Sequence, residues 1–208
     1  MSITFFYSPQ SSATRIHWTL EELGVPYEKV KLDLRAGDQK KPDFLAINPN
    51  GKVPALVVDG TPVFESSAIQ ILLGERHGVD RGLWPAANTA DRAQALTWLL
   101  WGQVSLGAAF MRYFYNSGQW VPAELQHAPQ AEAAMKEIHV NLAILEARLN
   151  GREFVVGDKF NLADLDLASM CGWAVPTAKV DISGYPSLQD WLGRMTSRSA
   201  FKTAMAAT

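Results

Sequence analysis

The chain has 208 residues, with 19 Lys and Arg against 21 Asp and Glu, so its formal net charge is -2. Hydrophobic residues make up 48% and charged residues 19%, an ordinary globular composition for one or two domains. A charge this close to zero argues against a nucleic-acid-binding protein, which usually carries a basic excess. With the single cysteine Cys171, the chain can form no internal disulfide, CxxC pair or cysteine-based zinc site.

Targeting and metal signals are missing from the sequence. The first residues lack the basic flank and long apolar run of a signal peptide, and no stretch has about 18 uninterrupted apolar residues. We therefore expect a soluble, cytoplasmic protein that does not span a membrane. The four histidines are scattered without metal-ligand spacing, so no metal site is expected.

Strand and helix patterns alternate at the start of the chain. Residues 3–7 (ITFFY) predict a buried strand, and an apolar helical repeat then runs to the stop signal Gly24. Residues 27–33 alternate apolar and charged side chains, as a half-exposed strand does. Residues 42–48 predict a short helix.

A hairpin and a third helix follow. Residues 54–59 and 61–64 predict two strands joined by a DG turn. Ser66 is expected to cap the next helix, which ends near Gly78. The predicted order is therefore βαβ followed by ββα.

Helical patterns dominate the remainder. Two long helices are predicted over residues 96–114 and 135–149, a nearly all-apolar helix over 161–175 that Pro176 ends, and two shorter helices near the end of the chain. The sequence thus predicts an α/β domain over residues 1–80, a linker over 81–88 and an all-helical domain over 89–208.

The segment from Ser8 to Arg15 carries several hydroxyls where a strand ends and a helix begins. Amides at a helix start favour anions, and a thiol bound there would have its pKa lowered from about 8.5. The plainer interpretation is that Ser11 or Ser12 is an N-cap with no further role.

Two further segments suggest ligand contacts. A cis bond before Pro54 would leave the Val53 backbone free to pair with a peptide-like ligand. Glu65 could hold an ammonium group, and Ser66 a carboxylate, although Glu65 alone also fits a solvated surface acid.

Two other features favour structural roles. Asn161 and Asp164 have the spacing of a capping box, which is a folding signal rather than a catalytic motif. Residues 98–120 hold more aromatic rings than one helix face can bury, so the surplus lines either a pocket or ordinary packing.

Taken together, these segments resemble the cytosolic glutathione transferases. The resemblance covers essentially the whole chain and rests on FFYSPQSSATRIHWTLEELGVPYE (5–28), NPNGKVPALVVDG (48–60), ESSAI (65–69) and GDKFNLADLDL (157–167). It implies a thioredoxin-like N-terminal domain, an all-helical C-terminal domain and a homodimer. Within the family, the chain resembles the bacterial serine type, since the junction holds serines and lacks the cysteine of the thiol-transferase branch.

The resemblance also implies roles for individual residues. Ser11, then Ser12, then Tyr7 are the candidates for the hydroxyl that stabilises the thiolate of glutathione. Val53, with Pro54 cis, would hold the cysteine backbone, and Glu65 with Ser66 the γ-glutamyl end. The residues expected near the glycine carboxylate are Lys52, Lys40 and Gln39.

A hydrophobic co-substrate pocket is implied in the helical domain, lined by Phe110, Met111, Tyr113, Phe114 and Trp173. The implied activity is conjugation of glutathione to small hydrophobic electrophiles in detoxification, with peroxide reduction as a variant. Two alternatives stay open: a non-catalytic scaffold that binds a protein partner, and a glutathione-dependent disulfide reductase or isomerase.

Overall fold

The computed structural model describes residues 2–118 and 120–206. Contacts divide the chain into two units: one runs to Ala86 and also includes the segment from Ser197, and the other is Ala87–Thr196. The predicted second domain instead ran to residue 208. Its last two residues, like Met1 and Gln119, lie outside the described residues, and the boundaries at residues 80 and 89 stay a prediction.

The first unit contains a four-stranded sheet. Its elements in chain order are β1 (Ile3–Tyr7), α1 (Ala13–Leu23), β2 (Glu28–Lys31), a 3₁₀ turn (Asp38–Lys40), α2 (Pro42–Leu45), β3 (Ala55–Val58), β4 (Thr61–Phe64), α3 (Ser66–Leu73), a π-helical turn (Gly74–Gly78) and α9 (Ser199–Ala206). The strand order is β2-β1-β3-β4, with β1 parallel to β2 and antiparallel to β3. The predicted βαβ and ββα order is confirmed.

The sheet has a packed layer on each face because side chains alternate along its strands. Phe5 and Leu56 face α1 and α3, where Ile16 and Ile69 complete the larger core cluster. On the opposite face Phe6 packs with Phe44 of α2. These two layers fix the ends of β1 and β3, between which the candidate site lies.

Strand β2 differs from its prediction. All four residues of β2 are exposed, and Val30 retains 37% of its accessible surface, whereas a half-buried alternation was expected. The reason is position: β2 is an edge strand, and its lysines Lys29 and Lys31 protect an unpaired edge.

The second unit is helical. It contains α4 (Ala90–Trp101), a π-helical turn (Gly102–Gly107), α5 (Ala108–Asn116), a 3₁₀ turn (Ala123–Leu125), α6 (Ala128–Leu149), α7 (Leu162–Ala178) and α8 (Pro186–Thr196). Helix α7 is buried nearly all round, as predicted, and packs against α4, α5 and α8.

Two helix predictions in this unit need correction. The predicted helix over 96–114 is interrupted by the π-helical turn, where a Cβ on Gly102 would come within 2.6 Å of Leu167. Pro176 does not end α7, which continues to Ala178. A proline in the last turn removes only one amide, and Lys179 in the left-handed conformation (φ 54°) is the actual stop.

Candidate functional site

The turn between β1 and α1 is held by Ser11. Its hydroxyl donates to the carbonyl oxygen of the buried Ser8 at 2.7 Å and accepts from the amide of Ala13 at 3.2 Å. The single hydroxyl proton of Ser11 is therefore used inside the turn, and its oxygen caps an amide of the helix start. Ser11 therefore makes the hydrogen bond expected of an N-cap residue, although it lies one residue before the N-cap position of α1.

Ser12 occupies the N-cap position of α1 but makes no capping hydrogen bond. Its backbone is already helical (φ -59°, ψ -11°), whereas an N-cap is usually extended. The exposed hydroxyl instead donates to the carbonyl oxygen of Val53 at 3.1 Å, across 41 residues of sequence. This contact joins the start of α1 to the segment that precedes β3.

The Val53–Pro54 peptide bond is cis, which confirms the prediction. Val53 lies just outside the sheet, because the β3 register begins with Ala55 opposite Phe6. The segment before Val53 is fixed by Asn48, whose Nδ2 donates to the Lys52 carbonyl at 2.6 Å. The Lys52 side chain is exposed.

Gln39 and Lys40, two of the residues expected near the glycine carboxylate of glutathione, lie against Gly51. A Cβ on Gly51 would lie 2.8 Å from the Gln39 carbonyl oxygen and 2.9 Å from Lys40 Nζ, and its φ is +58°. Gln39 donates through Nε2 to the Leu34 carbonyl at 3.2 Å, while its buried Oε1 has no hydrogen-bond partner among the described residues. Lys40 and Lys52 thus flank one glycine turn.

Glu65 has a strained backbone at the start of α3. Its φ of 70° and ψ of 120° lie in a region that non-glycine residues rarely adopt, and such strain concentrates at functional sites. The Glu65 carboxylate is within 3.5 Å of Asn50 Nδ2. Ser66 is the first helical residue and not the cap, which corrects the prediction, because Glu65 takes the N-cap position.

Tyr7 ends β1 and is half-buried. Its ring stacks on Phe5 with centroids 5.4 Å apart and lies 6.2 Å from the ring of His17. Among the three hydroxyl candidates, Ser12 is the one that hydrogen-bonds the Val53 carbonyl, while Tyr7 packs against the core cluster of the first unit.

The predicted pocket residues of the second unit fall into two groups. Phe110 and Phe114 are buried, whereas Met111 and Trp173 expose 37% and 42% of their surface. Trp120, which belongs to the aromatic surplus of residues 98–120 but was not among the predicted pocket residues, stacks on Phe114 at 4.6 Å and lies 5.6 Å from Trp173. The aromatic density of 98–120 was the available signal, but it did not say which rings stay exposed.

No group of three or more His, Cys, Asp or Glu side chains suited to a metal ion occurs within residues 2–118 and 120–206. In the same part of the chain, no helix combines the length and apolarity needed to cross a bilayer.

The fold and the site define a thioredoxin-like domain followed by a helical domain. Models of the glutathione S-transferase N-terminal and C-terminal domains match residues 1–73 and 108–199. The chain therefore belongs to the glutathione S-transferase family.

Individual relatives match over nearly the full chain. Disulfide-bond oxidoreductase YfcG of Escherichia coli (strain K12) is 30% identical over 98% of this chain and 94% of its own. Glutathione S-transferase F10 of Arabidopsis thaliana is 31% identical over 99% and 97%. A solved sphingomonad glutathione S-transferase, complexed with glutathione, superposes with a TM-score of 0.85 at 32% identity and covers 98% of each chain.

Proposed function

We propose that this chain is a serine-type glutathione transferase that activates the glutathione thiol for attack on small hydrophobic electrophiles. The observation that carries the proposal is the hydrogen bond from Ser12 to the Val53 carbonyl, next to a cis Val53–Pro54 bond. It puts an exposed hydroxyl beside the backbone that is expected to pair with the cysteine of glutathione.

The proposed binding contacts follow the tripeptide from end to end. Glu65 binds the α-ammonium group of the γ-glutamyl end. The Ser66 amide and hydroxyl bind its α-carboxylate, and the positive end of α3 also favours that negative charge. The Val53 backbone pairs with the cysteine. Lys40 and Lys52 neutralise the glycine carboxylate beside the Gly51 turn, with Gln39 behind them.

Of the two serines, Ser12 is the better candidate for the sulfur contact. Ser11 would have to give up a 2.7 Å bond to a buried carbonyl and uncap Ala13. Ser12 would give up only an exposed 3.1 Å bond, and the cysteine amide of the ligand would satisfy the Val53 carbonyl in its place. We therefore place Ser12 ahead of Ser11 and Tyr7, which reverses the order expected from the resemblance.

The chemistry then needs no protein nucleophile. The glutathione S–H releases its proton to solvent, and the Ser12 hydroxyl with the α1 dipole stabilises the thiolate. The sulfur lone pair forms a C–S bond with the electrophilic carbon, and the leaving group departs with its bonding electrons. Met111, Tyr113, Trp173 and Trp120 are the proposed lining for the electrophile, with Phe110 and Phe114 behind them.

Steady-state kinetics with glutathione and a chromogenic aryl halide test this assignment. At an assay pH below both thiol pKa values, losing a hydroxyl donor that lowers the thiol pKa by one or two should reduce the thiolate fraction about 10- to 100-fold. Ser12→Ala is expected to lower kcat by that amount with little change in the glutathione KM, and Ser11→Ala is expected to lower it less than Ser12→Ala. If Ser11→Ala has the larger effect, Ser11 holds the role; if neither changes kcat, the serine mechanism is wrong.

A second activity, glutathione-dependent disulfide reduction, is favoured by the similarity to a disulfide-bond oxidoreductase. Because the only cysteine is the buried Cys171, the thiols must come from glutathione. One thiolate attacks the substrate disulfide and releases a thiol, and a second glutathione thiolate resolves the mixed disulfide to oxidised glutathione. Assaying hydroxyethyl disulfide beside the aryl halide gives the ratio of the two activities.

A thermal-shift measurement with glutathione distinguishes the two enzymatic proposals from a non-catalytic scaffold. Glutathione at 100 times its Kd should stabilise the folded chain by about 2.7 kcal/mol, which a thermal shift detects. No shift would favour the scaffold and remove the basis of both enzymatic proposals.

We also propose that the protein is a homodimer. Leu100 and Val104 lie one turn apart on the second unit and expose 47% and 72% of their surface, which is a large apolar exposure for a monomer. Light scattering of the native protein and of Val104→Glu tests this; a monomeric native protein would contradict it.

A further inference from the structure

Helix α1 buries a histidine among three aromatic rings. His17 is 1% exposed, and its ring centroid lies 5.9 Å from Phe5, 6.2 Å from Tyr7 and 6.0 Å from Tyr27. Neither ring nitrogen makes a hydrogen bond to any residue within the described part of the chain. Buried polar groups are normally paired, so this imidazole calls for an explanation.

The charged and titratable groups facing His17 come from α1, β1 and β2 and from Tyr27, which immediately precedes β2. Glu21 of α1 has a carboxylate oxygen 3.6 Å from Nε2, and it already accepts a 2.5 Å hydrogen bond from the Tyr27 hydroxyl. Tyr7 comes from β1 and Lys29 from β2, and α9 contributes the Ala204 backbone, which lies close without completing a hydrogen bond.

These surroundings favour the neutral imidazole. Burial, followed by repulsion from Lys29, lowers the pKa of His17 from 6.5, and Glu21 with the Ala204 backbone opposes this only in part. The carboxylate oxygen of Glu21 that lies 3.6 Å from His17 Nε2 is the same oxygen that accepts the Tyr27 hydrogen bond, so Tyr27 competes for it with an imidazolium. Tyr27 correspondingly keeps its proton, because burial and Glu21 raise its pKa.

His17 and the aromatic rings around it adjoin both ends of the turn between β1 and α1, which belongs to the proposed glutathione site. Tyr7 immediately precedes Ser8, whose carbonyl anchors the Ser11 hydroxyl. His17 lies on the same helix as Ser12, five positions further along α1. A repacking around His17 therefore acts on the strand end and the helix start that define the turn.

We propose that His17 is a positioning residue whose protonation weakens the binding of glutathione at the turn between β1 and α1. The inference rests on the proposed function, since it concerns the regulation of the same site. An imidazolium at this position needs Glu21 as its counter-charge. Drawing Glu21 Oε1 from 3.6 Å to hydrogen-bonding distance displaces the oxygen that Tyr27 holds and disturbs the aromatic packing around Tyr7, next to Ser8.

The test is binding of S-methylglutathione, measured by calorimetry between about pH 5 and pH 8, the range in which histidine titrates. This ligand has no thiol, and its carboxylates stay ionised over this range, while any contribution of its amine is the same for the native protein and the His17 variants. For the native protein, Kd should be about fivefold weaker at the acid end, a typical coupling between two sites. By reciprocity, saturating ligand should lower the pKa of His17, followed by NMR, by about 0.7.

Variants assign the effect to His17. His17→Phe keeps an aromatic ring but cannot titrate, so the fivefold ratio of Kd values should fall to about one; His17→Gln serves the same purpose if the Phe variant does not fold. The matched control is His77→Phe, because His77 is also partly buried in the first unit and burial lowers its pKa, yet it lies in the Gly74–Gly78 turn. The control should keep the fivefold ratio.

The outcomes separate this inference from the proposed function. If the native protein does not bind S-methylglutathione even near pH 8, the proposed function fails. If it binds with the same Kd across the range, or if both His17 variants keep the fivefold ratio, His17 has no positioning role. Loss of the ratio in His77→Phe would also overturn the assignment.

Discussion

Helix α1 in the first unit and helix α7 in the second both begin with a polar N-cap residue, Ser12 and Asn161, and the two side chains are used differently. Asn161 Oδ1 accepts from the Ala163 amide at 2.9 Å, and the Asp164 carboxylate accepts from the Asn161 amide, which completes a capping box. The Ser12 hydroxyl leaves its own helix and bonds Val53.

The difference shows which helix start is available to a ligand. The α7 start is buried and saturated: Asp164 also accepts from the Val155 amide at 2.7 Å and from Trp191 Nε1 at 3.0 Å. At α1, Ser11 caps one amide and Ser12 stays exposed. A saturated cap stabilises the fold, whereas a helix start with an exposed, exchangeable hydroxyl can accept an anion such as a thiolate.

The largest expected change in the free energy of unfolding comes from a substitution at the start of α7. Asp164→Ala removes the acceptor of three buried donors, and each unsatisfied donor costs about 1–3 kcal/mol. We expect the free energy of unfolding to fall by about 3–5 kcal/mol, measured by denaturant titration. A loss below about 1 kcal/mol would mean that the capping box does not hold the second unit.

The pH dependence of the same carboxylate is the next largest effect. Burial raises the pKa of Asp164 to about 6, against 3.8 for the unfolded chain, although its hydrogen bonds oppose the change. Between these values the folded state holds a proton that the unfolded state has lost, so this contribution to stability falls as pH rises and becomes constant above about pH 7. The stability difference between the native protein and Asp164→Asn should shrink by about 2–3 kcal/mol from pH 4 to pH 7. A difference that grows with pH would contradict the raised pKa.

Effects near 1 kcal/mol compare the two caps directly. Asn161→Ala should cost about 1–2 kcal/mol, because Asn161 also donates to the Val156 carbonyl at 3.0 Å. Ser11→Ala should cost about 1 kcal/mol through the loss of its bonds to Ala13 and Ser8. Denaturant titration of both variants checks this, and an unchanged stability in Ser11→Ala would show that α1 does not depend on Ser11.

The sequence was sufficient for the features that depend on local pattern. The strand at residues 3–7, the Asn161–Asp164 capping box and the buried α7 were all predictable, because periodicity and capping chemistry are local. Long-range contacts were not: the Ser12–Val53 bond joins residues 41 apart, so the local pattern could not separate Ser11 from Ser12. Burial of His17 was equally hidden, since it depends on tertiary packing with the rings of Phe5, Tyr7 and Tyr27 and on the packing of α9 against α1.

The smallest effect on stability is expected for Ser12→Ala, and it separates the two helix starts most sharply. The hydroxyl caps no amide and is exposed, so its removal should change the free energy of unfolding by no more than about 0.5 kcal/mol. The same variant should lose turnover, whereas Asn161→Ala should lose stability and keep its turnover per folded molecule. Ser12→Thr, which keeps a hydroxyl, is the control and should retain more turnover than Ser12→Ala. A Ser12→Ala protein destabilised as strongly as Asn161→Ala would mean that both serines and Asn161 serve only the fold, and that the α1 start is closed to a thiolate in the same way as the α7 start.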